Sequence, residues 1–195
     1  MLFESLVFGF AAGLLLGGSP RNIPKAYFRA TPLMFFALAL ELAVSSRLGP
    51  YIAQAGELAL SAIAVIQAIL LISFVLLNLR IPSLWLIGVG GLMNALPMAV
   101  NGGRMPISPQ IMTIAPGSPY TEVLLSGGAA NYMLASSQTK LLFLSDIIPF
   151  RGITLYMISA GDIVTSCGLA VLMISLMLPD RFSTGQAQPH SNRPR

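Results

Sequence analysis

The residues best placed to do chemistry are two aspartates near the C-terminal end, Asp146 and Asp162, separated by 16 positions with Pro149 between them. A chain reversal at that proline would bring the two carboxyl groups together. Carboxyls within a few ångströms of each other share a proton, one acting as acid and the other as base, and aspartic hydrolases activate water in this way. The plainer use of either aspartate is to cap a helix N-terminus. A second polar cluster runs Asn101-Gly102-Gly103-Arg104-Met105-Pro106. Paired glycines leave backbone amides accessible, and with Arg104 they could grip a phosphate or carboxylate headgroup. Arg104 could equally pair with Asp146 or Asp162. Ser159, three residues before Asp162, belongs to the same polar set. Glu41 stands alone in an apolar run, with Gln67 and Asn94 as neutral partners at comparable depth; it either fastens helices as a protonated carboxyl or relays a proton or cation.

Other chemistry is excluded by residue type. The one histidine, His190, lies in a polar tail, so neither a histidine zinc site nor a Ser-His triad can form, and no phosphate-binding loop sequence occurs. Cys167, the one cysteine, reads as a small apolar side chain. No metal and no cofactor is implied. The net charge of +4 is spread without a basic stripe, which argues against nucleic acid as a partner.

These groups sit in an apolar chain. Of 195 residues, 55% are hydrophobic and 9% charged, with a mean hydropathy of +0.77. That is too little charge to cover a water-soluble surface, whereas about 20 apolar residues cross a bilayer as a helix. The expected fold is an all-α polytopic membrane helix bundle forming a single domain over residues 1–178, with the lipid bilayer as its main partner. Five transmembrane helices are expected at about 2–18, 31–48, 58–79, 83–100 and 154–178. Residues 141–150 are too short to cross and predict an interfacial or re-entrant element. The connection 101–153 is too long to lack structure, and Ser118-Pro119 predicts a short helix over 119–127, with another near 129–137. Residues 179–195 predict a disordered polar tail.

Placing the N-terminus outside puts Arg21, Lys25, Arg29, Arg80, Arg181, Arg193 and Arg195 in the cytoplasm and Arg47, Arg104, Lys140 and Arg151 outside. The positive-inside rule therefore favours an outer N-terminus and a cytoplasmic C-terminus, in the bacterial cytoplasmic membrane. Gly9, Gly13 and Gly17 recur every four residues, a spacing that allows close helix packing within one chain or, alternatively, a homodimer seam.

Taken in order, the Asn101–Pro106 cluster, Thr139-Lys140-Leu141-Leu142-Phe143-Leu144-Ser145-Asp146-Ile147-Ile148-Pro149 and Ser159-Ala160-Gly161-Asp162-Ile163 resemble the motifs of a family of small multi-pass bacterial membrane proteins described as a domain of unknown function. The likeness covers about residues 5–178 and implies fold and location without an activity. A weaker likeness is to lipoprotein signal peptidase, an intramembrane aspartyl protease, in which Asp146 and Asp162 would be the catalytic pair. Ser159 and Gly161 depart from that family's Asn-x-Ala-Asp motif, and its Gly-Asn-x-x-Asp-Arg motif is absent. Three functions follow as expectations. The first is a membrane component holding a lipid headgroup, small ligand or membrane-protein partner at an outer polar site. The second is an aspartyl-type hydrolase, and the third a small carrier or channel subunit using Glu41.

Overall fold

The computed structural model describes residues 1–126, 130–152 and 155–178. The expected polar tail, 179–195, lies outside them. Among the described residues, three helices are long and apolar enough to cross a membrane: α4 (Glu57–Leu77), α5 (Pro82–Val100) and α8 (Ala160–Met177). Two apolar helices are shorter, α1 (Leu2–Leu15) and α2 (Thr31–Ser45), with 14 and 15 residues. At about 1.5 Å per residue they rise little more than 20 Å, against about 30 Å of hydrocarbon. The expected first two spans therefore break early. Gly17 takes a left-handed backbone (φ 79°) beyond the end of α1, and a short helix, α3 (Gly49–Gln54), follows α2.

The expectation of an all-α chain is corrected in the long connection. Strand β1 (Met105–Ile107) pairs in parallel with β2 (Tyr132–Leu134), where a second helix was expected. Between them lie α6 (Ile111–Ile114) and α7 (Pro119–Leu125), the latter capped by Ser118, whose Oγ accepts from Thr121 N–H. A single 3-10 turn at Leu142–Leu144 stands where an interfacial or re-entrant element was expected. Then β3 (Ile148–Arg151) and β4 (Leu155–Ile158) form an antiparallel hairpin. Pro149 does not reverse the chain: it sits inside β3 opposite Met157, where a two-stranded ribbon leaves an edge that needs no N–H donor. The last helix accordingly starts at Ala160 and not near 154.

The helices alternate in direction. At one end the turn after α5 lies against the start of α4, with Gly102 and Gly103 meeting Glu57 and Leu60. Asn131 reaches Glu41 and Ser45 near the end of α2 at this same end. At the other end Asn78 clasps the backbone of Arg29 ahead of α2, and Ser19 N–H reaches Met177 C=O at the end of α8.

Small residues set the spacing between helices, as expected where apolar burial cannot drive association in lipid. A Cβ on Gly9 would lie 2.7 Å from the Ala170 carbonyl oxygen, and one on Gly13 the same distance from the Met177 sulfur. Both glycines are thus used on α8 within the chain. Gly90 is tighter still: its Cβ would meet Thr165 Oγ1 and the Gly161 carbonyl. The outward surface keeps large apolar side chains such as Phe8, Phe35, Phe36 and Leu58 exposed.

Replacing Gly90 with Ala is expected to lower unfolding stability in detergent by about 1–3 kcal/mol, because backbone atoms of α8 cannot yield to a methyl group. Cys167→Ala, at an exposed position on the same helix, should change it by less than about 0.5 kcal/mol. Thermal unfolding of the purified variants compares the two.

Candidate functional site

Ser159 leaves β4 in an extended conformation and begins α8 as its N-cap. Its Oγ accepts from Asp162 N–H at 2.9 Å, and Asp162 Oδ2 accepts from Ser159 N–H at 3.0 Å, a reciprocal capping box. Asn94 of α5 ties this cap to its neighbour. Its Nδ2 donates to Asp162 Oδ1 at 2.7 Å, while its Oδ1 accepts from Ser159 Oγ, also at 2.7 Å. Asn94 therefore belongs to Asp162 and not to Glu41, the partner expected for it.

Asp146 arrives by a different route. Its N–H donates to Pro106 C=O and its C=O accepts from Ser108 N–H, so the residue lies as a third strand beside β1. The β3–β4 hairpin then returns the chain in register, Ile148 opposite Ile158, and carries Ser159 and Asp162 back alongside Asp146. Sheet pairing on one side and helix capping on the other thus bring both aspartates to one cavity.

That cavity has a volume of about 590 Å³, within the range of small-molecule sites. Asp146, Asp162, Tyr132 and Tyr156 supply its polar lining, and Leu2, Leu155 and Met157 its apolar walls. Asp146 is 5% exposed, and its Oδ1 is buried without a hydrogen-bond partner; so is the Tyr156 hydroxyl. Such an unsatisfied buried group costs about 1–3 kcal/mol. Burial and, after it, the negative charge of Asp162 together push the Asp146 carboxyl up from 3.8 to about 8. At neutral pH Asp146 is accordingly the protonated member of the pair.

The remaining predicted residues lie elsewhere. Asn101 spends its side chain on the backbone: Nδ2 donates to Pro97 C=O and Lys140 C=O, and Oδ1 accepts from Lys140 N–H. Gly102 and Gly103 turn with positive φ against α4, where a Cβ on Gly103 would strike the backbone of Leu60 and Ser61. Arg104 forms no ion pair with Asp146 or Asp162, and its Nε is buried without a hydrogen-bond partner. Glu41 joins a separate network: Oε2 accepts from Gln67 Nε2 at 3.0 Å, and Oε1 from Ser45 Oγ at 2.9 Å and Asn131 Nδ2 at 3.2 Å. It ties α2 to α4 and to the long connection.

Sequence reasoning missed Tyr132, Tyr156 and Asn131. The alternation of β4 carries the only signal for Tyr156, and a four-residue strand is too short to stand out in an apolar chain. Among the described residues, no three His, Cys, Asp or Glu side chains gather where they could hold a metal ion.

Residues 25–174 match the model of a family of unknown function, DUF5317, and the chain belongs to that family. No curated protein and no solved structure shows significant similarity to it.

Two measurements check the site's physics. Asp146 is held above its ordinary value of 3.8, so the unfolded chain loses this proton first as pH rises. Stability is therefore full below pH about 4 and declines until pH passes about 8. Asp146→Asn should flatten that slope and raise the unfolding temperature at pH 7–8. Glu41→Ala, by leaving the Gln67 and Asn131 amides unpaired, should cost about 1–3 kcal/mol in the same assay.

Proposed function

We propose that this DUF5317 protein is an integral component of the bacterial cytoplasmic membrane that holds a small ligand or lipid headgroup in the cavity between Asp146 and Asp162. Five helices embed it, α1 and α2 with bilayer thinning or tilt of their neighbours, with the N-terminus outside and the C-terminus cytoplasmic. The alternating helix directions and the distribution of Lys and Arg support this orientation. It places the cavity at the outer face, within reach of lipid headgroups.

One observation carries the binding reading. Asp146 lines a cavity, and its buried Oδ1 has no hydrogen-bond partner among the described residues. A bound molecule that reaches this oxygen would meet a hydrogen-bonding need that the fold leaves open. Asp162 has the opposite character, since both its oxygens already accept bonds from Asn94 and Ser159. It supplies charge and rigidity more than reactivity.

The raised Asp146 carboxyl favours a second reading, an aspartyl-type hydrolase in which Asp146 is the acid and Asp162 the base. The four bonds that hold the Ser159, Asp162 and Asn94 side chains together weigh against it, because a general base must exchange its proton freely. A carrier using Glu41 receives less support, since each Glu41 oxygen is already bonded to donors of the bundle.

The two leading readings make opposite predictions for Asp146→Asn. With the full chain purified from its own membranes, small molecules and lipids are extracted and quantified by mass spectrometry. Binding predicts at least tenfold less of the retained molecule in the variant, at unchanged helical content. Hydrolysis predicts the reverse, with uncleaved substrate accumulating on the inactive protein.

A further inference from the structure

We propose that the cavity between Asp146 and Asp162 selects an organic cation, a primary ammonium group carried on an apolar body. The inference rests on the cavity being a ligand site, as proposed above, and adds the chemistry that the site selects.

The argument begins with charge. Among the described residues, no Arg, Lys or His lies within ion-pairing distance of either aspartate, and the amine of Met1, a residue of the cavity wall, is paired with Glu4 on α1. The polar residues that line the cavity with Asp146 are Asp162 at the start of α8, Tyr132 on β2, Tyr156 on β4 and Ser118, together with Met1, whose amine is already paired with Glu4. Two of these, with Asp146 itself, are oxygens in search of donors or charge: Asp146 Oδ1 and Tyr156 Oη are buried without partners, and Asp162 adds a negative charge that Asn94 and Ser159 bond but do not neutralise. The Asp162 charge is bonded but not neutralised, the neutral Asp146 carboxyl can add a second charge by releasing its proton, and a cation is the occupant that both favour.

An ammonium fits better than the alternatives. It carries three N–H donors for the two oxygens left without partners, Asp146 Oδ1 and Tyr156 Oη, and Tyr132 and Tyr156 are among the residues that line the cavity. Leu2, Leu155 and Met157 then wall the hydrocarbon part, which a bare or hydrated inorganic cation would leave uncovered. Anions are repelled by the same carboxylates.

The proton accounts for itself. Asp146 is held protonated at neutral pH by burial and by Asp162, and the positive charge of an arriving ammonium opposes both by favouring the ionised carboxylate. Binding therefore releases one proton from Asp146 to solvent, with no bond of the ligand made or broken. Affinity should rise about tenfold per pH unit through the neutral range and level off once pH exceeds about 8.

The test uses the full chain in nonionic detergent, titrated calorimetrically with n-hexylamine, n-hexanol and hexanoate between pH 6 and 9. The expected result is hexylamine binding at least tenfold tighter than hexanol at pH 8, with hexanoate undetected. Repeating the titration in buffers of different ionisation enthalpy should register close to one proton released near pH 7. Asp146→Asn should abolish both the proton release and the pH dependence, and Tyr156→Phe should weaken hexylamine several-fold while leaving the proton count intact. Equal affinity for hexylamine and hexanol, lost in Asp146→Asn, would overturn the cation preference and leave the ligand site standing. Hexylamine heats that are the same in wild type and Asp146→Asn at every pH would overturn both.

Discussion

The structure depends on the junction where β4 becomes α8. A helix leaves its first N–H groups without partners, and in an apolar chain water is poorly placed to supply them. Ser159 and Asp162 satisfy each other's backbone there, and Asn94 adds two short bonds that lock the cap to α5. Because the cap is tied sideways as well as lengthwise, the helix start cannot fray or rotate, and Asp162 is held at a defined place on the wall of the cavity. Gly161 makes this possible: a Cβ there would collide with the Asn94 side chain.

From that junction the remaining geometry follows by close approach. Gly90, Gly161 and Gly168 remove side-chain bulk between α5 and α8, so that polar side chains of modest length can bridge the two helices. Gly9 and Gly13 do the same between α1 and α8, which brings the first residues of α1 to the cavity rim. The α2 side of the bundle is joined differently, through Glu41, Gln67 and Asn131, so Glu41 and Asp162 serve separate seams. A carboxyl that is fully bonded and one that is not thus stand within the same small bundle. The unbonded one, Asp146, is the group with chemistry left to offer.

Much of this was legible from residue order. A capping serine followed three residues later by an acid marks a helix start in any context, and Ser159 and Asp162 carry that mark; Ser118 and Pro119 carry the equivalent for α7. Glu41 and Gln67 were paired by depth alone, since both lie near the middle of apolar runs. Asn94 was assigned by the same logic to the wrong acid, because depth does not say which face of a helix a side chain occupies. The turn assigned to Pro149 failed for a related reason: proline excludes a helix interior and a central strand, but it permits an edge, and only the pairing with β4 makes β3 an edge.

By itself, the sequence determined the apolar class of the chain, the long helices α4, α5 and α8, and the glycines that let helices approach. Hydropathy and local hydrogen bonding are properties of short stretches, so they survive being read one stretch at a time. Tertiary structure alone decided that β1 and the backbone of Asp146 would align, that the β3–β4 hairpin would return Asp162 to it, and that Tyr132 and Tyr156 would close the cavity around them. Those outcomes depend on strand pairings, some of them between residues dozens of positions apart, and on which oxygens are left unbonded once every nearer donor has been used.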